Sequence, residues 1–340
     1  MTNSVQVYNI TSEAGRAALQ GGSRPVAFNK RTGEVQIVTG RGMRINSILR
    51  KDEWQELDRA VVSAARTRLV TVDHLRQRNL VHPLGGLATL TSQWNVTSAM
   101  TQADVNMTGQ GAGESDIPDS LVKNVPVPVL FKQFRLGIRT LEASRRLGDG
   151  LDVTGASEAA RVVAEMAETM LTNGYNLTFN GGTIYGYTTH PNRNTDTVGN
   201  YGGGDWGTIT NVLPTIAGMV GAANGDGFYG PFGIYASTTQ FNQAALNYFT
   251  DGSGQTPVQR ALTLPNIALF DMAPTLADGV IVLVQLTNTV VDWAEALDVQ
   301  TLEWASGDGM VSNFKVMMVG SPRVKADYDG KSGVVHATGA

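Results

Sequence analysis

The chain has 340 residues, 42% of them hydrophobic and only 16% charged, with no cysteine and a formal net charge of −4. The missing cysteines exclude disulfides and thiolate metal sites, and the apolar content excludes a disordered chain. A charged fraction below the ~25% usual for soluble domains suits surfaces buried in permanent contacts, with a glycine-rich secreted β protein as the bland alternative.

Residues 1–48 read as an extended arm, with a short strand at 34–39 between glycines. The first 50 residues carry seven basic side chains, among them Arg16, Arg24, Arg41 and Arg44, against Glu13 and Glu34. That is a net +5, which leaves −9 for the remainder. Opposite signs suit an arm lying on the acidic surface of its own or a neighbouring copy, and a solvated tail is the plain alternative. The opening MTNSVQVYNITSEAG lacks a basic stretch followed by an apolar core, which predicts no secretory signal. The longest apolar run, 280–284, is too short to span a bilayer.

From Asp52 onward the spacing of Trp54, Leu57, Val61, Ala65 and Leu69 predicts an amphipathic helix, capped by Asp52 with Gln55 three residues on. Residues 92–124 are polar, carry Trp94, Val96 and Met100, and turn at a Gly-Gln-Gly-Ala-Gly tip (109–113). The expectation is a long hairpin without a core of its own, completed by an adjacent copy because an isolated two-stranded ribbon is marginal in water. A disordered insertion is the simpler alternative.

Period-2 spacing of Val127, Val129 and Phe131, and then of Phe134, Leu136 and Ile138, predicts a strand over 125–137. Arg139, Glu142, Arg145 and Arg146 read as a salt-bridged turn at a subunit contact. Next comes the strongest helix signal, Thr154–Asn173, with Ala156, Ala159, Ala160, Val163, Met166, Ala167, Met170 and Leu171 on one stripe. Glu158, Arg161 and Glu165 lie outside it, Arg161 pairing with Glu165, and Gly174 is the left-handed stop.

Beyond 175 an α/β lobe is expected: a helix over 208–223 kinked at Pro214, a strand at 232–236, a helix at 239–249, and strands at 267–270 and 280–286. Strands at 312–319, 323–328 and 333–336 would return to the first lobe, or extend from it.

Chemistry-bearing motifs are thin. Gly225-Asp-Gly227-Phe-Tyr-Gly230 sits after a helix and before a strand, the reverse of what a dinucleotide turn needs. Gly330-Lys331-Ser332 lacks the glycine a phosphate loop requires five residues earlier, where Lys325 stands. His74, His82, His190 and His336 have no partners at metal-ligand spacing. The expectation is a structural protein without catalytic residue, cofactor or metal; the alternative from another class is a soluble α+β enzyme or binding module with an unrecognised site.

The order of these elements resembles the coat proteins shared by tailed bacteriophages, the floor of herpesvirus capsids, and encapsulin nanocompartments. Three stretches carry the resemblance: DEWQELDRAVVSAARTRLVTVDHL, similar to the helix that opens the body; VPVPVLFKQFRLGIRTLEASRRLGDGLD, similar to the strand and turn that lead into the spine helix; and GVIVLVQLTNTVVDWAEALDVQTLEWA, similar to the closing strands. The resemblance implies an α+β, Hong Kong 97-type capsid fold. It would be divided into an arm (1–48), a first helix and lead-in (49–91), an extended loop (92–125), a peripheral domain with the spine helix (126–178), an axial domain (179–300) and return strands (301–340).

It also implies a major capsid protein whose copies, as hexamers and pentamers, close an icosahedral shell around double-stranded DNA contacted non-specifically, with scaffold, portal and decoration proteins as possible partners and no membrane. An encapsulin shell is the alternative, although encapsulins resembling this pattern begin almost at the first body helix. Arg16, Arg24, Arg41, Arg44, Trp94, Met100, Lys123, Arg139, Glu142, Arg145 and Arg146 are the expected inter-subunit contacts. Some coats of this family join neighbours by a lysine–asparagine isopeptide bond; Lys123 stands at the loop's foot, but the meeting of lysine, asparagine and acidic catalyst that such a bond needs is not readable from sequence.

Overall fold

A computed structural model describes residues 7–9, 26–28, 34–37, 49–105, 107–108, 115–147, 151–249, 254–305 and 310–340. The arm contributes β1 (Val7–Asn9), β2 (Val26–Phe28) and β3 (Glu34–Ile37), a small antiparallel sheet in the order β1–β3–β2. The body follows with α1 (Lys51–Arg68), α2 (Thr71–Gln77), β4 (Val81–Pro83), β5 (Thr91–Thr97), β6 (Ser120–Pro126), β7 (Val129–Gly137), α3 (Ile138–Leu147) and the spine helix α4 (Thr154–Asn173). After it come β8 (Tyr175–Phe179), β9 (Gly182–Ile184), β10 (Asn194–Thr197), α5 (Val212–Gly225), β11 (Phe232–Ala236), α6 (Thr238–Leu246) and α7 (Pro257–Leu262). The chain closes with β12 (Ile267–Met272), β13 (Val280–Gln285), β14 (Val291–Ala305), β15 (Val311–Val324) and β16 (Val334–Thr338).

Two compact units emerge. The first gathers residues of 1–65, 131–163 and 299–318. Here Phe314 is fully buried between Phe134, stacked on it at 5.0 Å, and Trp54 at 6.1 Å. Gly155, at the start of the spine helix, leaves room for Phe134, whose Cδ2 would lie 3.3 Å from any added Cβ. The second unit gathers 66–130, 164–298 and 319–340. Its centre is a five-stranded mixed sheet in the order β10–β16–β13–β11–β12. α5 and α7 pack on its apolar face around Trp206, Ile216, Phe232 and Ile234, all fully buried.

The spine helix runs over the expected residues and ends at Gly174, whose φ of +73° and crowding by Ile184 O, 2.8 Å from an added Cβ, demand glycine. Its buried stripe also takes in Ala164 and Glu168, and it differs at Met166. Ala160, Ala164, Ala167, Met170 and Leu171 are fully buried, whereas Met166 is half-buried. Met170→Asp should therefore cost several kcal/mol and Met166→Asp distinctly less, read as the ratio of soluble yields and the difference in thermal midpoints. Arg161 pairs with Glu158 at 2.8 Å, and Glu165 lies 3.7 Å from Arg68.

Other expectations are corrected by local geometry. The one helix that the resemblance implies over 52–75 is two, broken at Leu69–Val70, and its first cap is formed at Arg50 by the Glu53 carboxylate, not by Asp52 and Gln55. The strand over 125–137 is likewise two, parted at Val127-Pro128, because proline cannot donate to a ladder. The expected turn at 139–146 is the helix α3, for Ile138 and Leu141 repeat at helical spacing. Pro214 falls in the first turn of α5, after a 3-10 turn at Ile209–Asn211, where its missing N–H costs nothing, so it starts the helix instead of kinking it. β15 continues unbroken to Val324, and 325–328 lead into a turn, not a strand.

Among the described residues no helix is long and apolar enough to cross a membrane.

Candidate functional site: an exposed ribbon on a buried ionic anchor

β5 and β6 pair antiparallel from Thr91↔Pro126 to Thr97↔Ser120, which sets Trp94 directly opposite Lys123. Beyond the last pair, Asp119 N donates to Ser98 Oγ at 3.0 Å and Thr101 N to Asp116 Oδ2 at 3.0 Å, so the two arms stay together past the regular ladder. This ribbon has almost no interior. Met100, Val105, Met107, Ile117 and Val122 are at least 62% exposed, a density of free apolar side chains that a solitary soluble protein does not tolerate on one element.

Its foot, in contrast, is rigid. Arg323 grips Asp292 through Nε–Oδ1 and Nη2–Oδ2 contacts of 2.5 Å each, and reaches Ser92 Oγ in β5 at 3.1 Å through Nη1. Lys325 Nζ adds a contact to Asp292 Oδ2 at 2.7 Å. Asp292 is fully buried and Arg323 is 4% exposed. The Arg323 guanidinium also lies 5.9 Å from the Trp94 ring centre. Burial holds Lys325 below its ordinary lysine value despite its carboxylate partner. His82 is lowered too, by burial first and then by the Arg323 charge.

The hairpin β8–β9 braces the other side. Asn124 Nδ2 donates to Asn180 O at 2.8 Å, and Gly182 has no space for a Cβ, which would meet Asn124 O at 2.8 Å. Between ribbon, hairpin and the 326–330 turn lies a cleft of about 700 Å³, lined by Trp94, Lys123, Tyr185, His190 and Tyr328. His190 is buried there, and its value is pushed down to about 4 by burial and then by the charges of Arg193 and Lys123. His336 accepts from Arg193 Nε at 3.2 Å and is also pushed down to about 4, so both rings are neutral at pH 7.

A second polar device lies deeper in the same unit. Glu168 projects from the buried stripe of the spine helix and accepts from Thr71 N at 3.0 Å, from Val72 N at 3.0 Å and from the Thr71 hydroxyl. Residue Val70 offers no side-chain cap to α2, so a carboxylate 97 residues away supplies it. Burial raises the Glu168 carboxyl above its usual range, opposed by the hydrogen bonds from Thr71 and Val72.

The sequence-expected contacts divide as follows. Arg16, Arg24, Arg41 and Arg44 lie outside the described residues. Trp94 and Lys123 meet on the ribbon, and Met100 is exposed further along it. Arg145 does not face outward: its guanidinium holds Glu53 by two bonds of 2.7 Å and Glu142 at 2.5 Å, clamping α3 to the start of α1. That partnership holds Glu53 below its ordinary value and raises Arg145. Arg139 and Arg146 are exposed on the same helix. Sequence reasoning missed Asp292, Arg323 and Glu168; the available signal was a lone charge inside an otherwise apolar strand or stripe. Gly225–Gly230 and Gly330–Ser332 are turns, with Gly227, Gly230 and Gly330 at positive φ. Among the described residues no cluster of three His, Asp or Glu side chains is placed to hold a metal.

A family of unknown function (DUF6260) matches residues 44–337. The type 1 encapsulin shell protein EncA of Myxococcus xanthus is 26% identical over 207 residues, 60% of this chain and 66% of that protein, so the match spans just under two thirds of the relative's length. Among solved structures, the virus-like particle from Pyrococcus furiosus superimposes with a TM-score of 0.60 at 16% identity, covering 84% of this chain and 98% of that one. The capsid of Myoviridae phage XM1 does so at 0.56 and 15%, covering 77% and 89%. The chain belongs to the DUF6260 family and has the Hong Kong 97-type α+β fold of capsid and shell proteins.

Proposed function

We propose that this chain is the major capsid protein of a tailed bacteriophage, many copies of which close an icosahedral shell around double-stranded DNA. The observation that carries a shell-forming role is the ribbon: rigidly rooted by Asp292 and Arg323, yet exposing Met100, Val105, Met107, Ile117 and Val122 that only another copy can cover. On this reading the ribbon packs on an adjacent copy within hexamers and pentamers. Its work is geometric and not catalytic. The phage reading, as opposed to an encapsulin shell around a cargo enzyme, is supported by the basic arm ahead of α1, whose net +5 suits a subunit that spans acidic neighbours and tolerates packaged DNA. The 26% identity to an encapsulin shell protein favours the second reading.

The working organisation is that of an arm (1–48), an extended loop (92–125), a peripheral domain with the spine helix, and an axial domain (179–300). Scaffold, portal and decoration proteins would be partners, with assembly in the host cytoplasm and residence in the virion. Negative-stain electron microscopy of the expressed chain, with nuclease-protected nucleic acid measured in the same particles, tests both readings. Closed particles are expected from the full chain, and none when residues 101–115 are deleted. Discrete monomers from the full chain would overturn the shell role, and particles carrying a co-purified enzyme would favour the encapsulin.

A further inference from the structure

The hairpin beside the ribbon ends in an open strand edge. Asn180 and Gly181, at φ +50° and +77°, close β8 onto β9 in a tight turn that presents the strand ready-made. Among the described residues β8 pairs with β9 alone, and Gly182 in β9 sits against Asn124 at the ribbon's foot. The register shifts between Tyr175 and Thr178, so Asn176 and Leu177 have no partner in β9. Every residue of β8 is exposed, including the apolar Tyr175, Leu177 and Phe179. Native sheets blunt free edges with lysine, proline, charge or a bulge. β8 has the register shift alone, for residues 175–184 contain no charged side chain and no proline.

The residues of this edge also select its occupant. Laid antiparallel on its own copy about a twofold axis, β8 sets Leu177 against Leu177, Asn176 against Thr178, and Tyr175 against Phe179. Aromatic meets aromatic, polar meets polar, and no like charges face each other. A phosphate backbone finds no cation here, and a charged peptide finds no counter-charge. We infer that β8 of one copy pairs antiparallel with β8 of a second copy, joining two hairpins into one four-stranded sheet across a twofold contact of the shell. It rests on the shell-forming reading and adds a self-complementary contact separate from the ribbon. Two such short edges bury far less than the ~1,200–2,000 Å² of a self-sufficient interface, so the pairing gains its strength from repetition around a closed particle.

Because the parent chain has no cysteine, introduced thiols test the register directly. Leu177→Cys puts one thiol on the axis, its Cα about 4.5–5.5 Å from its twin and within reach of a disulfide. Particles of that chain, oxidised with copper–phenanthroline, should run largely as covalent dimers on non-reducing gels. Thr178→Cys alone sets its two thiols on a diagonal, at backbone positions more than ~7 Å apart, and should cross-link at least about tenfold less. Particles mixed from Thr178→Cys and Asn176→Cys chains should cross-link well, because those positions face each other. Leu177→Lys sets two ammonium groups opposite one another, and should cut the yield of closed particles at least about tenfold while the chain melts like the parent. Absence of the Leu177→Cys dimer overturns the inference, as does equal cross-linking by Thr178→Cys alone or normal assembly of Leu177→Lys. Failure of the parent to form particles would remove the shell-forming reading by itself. In that event dimers of the Leu177→Cys chain would still uphold the pairing, and their absence would remove it as well.

Discussion

Replacing Asp292 by alanine should destabilise the second unit by on the order of 3–5 kcal/mol, because it strands the buried Arg323 guanidinium and the half-buried Lys325 ammonium without a counter-charge. Chemical denaturation followed by tryptophan fluorescence would read it directly, since Trp94 lies beside Arg323 and Trp293 is fully buried one residue away from Asp292. Arg323→Met should be milder than Arg323→Ala, for it fills the apolar space, although it leaves the Asp292 carboxylate facing Lys325 alone. Replacing Asp292, Arg323 and Lys325 together by apolar residues of similar volume should recover most of the loss. Equal stability of the Asp292→Ala chain and the parent would show that water reaches the cluster. The same lesion should loosen the ribbon, because the guanidinium that fixes Ser92 at the start of β5 loses the carboxylate that holds it in place. Hydrogen exchange at Ser92–Val96 should therefore accelerate more than at β11 or β13.

Glu168→Ala comes second. It orphans the N–H groups of Thr71 and Val72 and the Thr71 hydroxyl, each at about 1–3 kcal/mol when buried. The pH dependence has a definite sign. Burial raises the folded-state carboxyl above the unfolded value of 4.5, so the folded chain holds that proton more tightly than the unfolded one. The contribution of this group to stability is therefore fully present below 4.5 and is lost as pH rises through the raised folded value. Measured against Glu168→Gln, which cannot titrate, the parent's advantage should shrink from acid towards neutral pH. His74, on α2, and the buried Tyr187 and Tyr235 feel the same carboxylate, and Asp271 pairs with His74 at 3.3 Å. A widening gap with rising pH would mean that the Thr71 and Val72 hydrogen bonds outweigh burial.

What could be read from the chain alone was whatever depends on near neighbours in sequence. The spine helix declared itself through an alanine- and methionine-rich stripe and a glycine able to take a left-handed stop, both local terms. β11, a run of apolar residues after a proline, was equally legible. The ribbon was visible as a polar, glycine-tipped insertion too long to support itself. The arm's charge was a matter of counting.

Where the chain misled, distant partners had the last word. Helix α1 ends at Arg68 and a new helix begins at Thr71 because Glu168, from the spine helix, captures the exposed N–H groups there. Arg145 looked like an outward contact because only the folded chain brings Glu53, 92 residues earlier, within 2.7 Å of it. Asp292 and Arg323 lie 31 residues apart on strands whose patterns give no hint of each other, and Ser92 completes them from 231 residues away. Propensity and periodicity act over one or two turns of chain. A buried charge is decided by which partner the tertiary fold supplies, since burying it alone costs far more than any local preference returns.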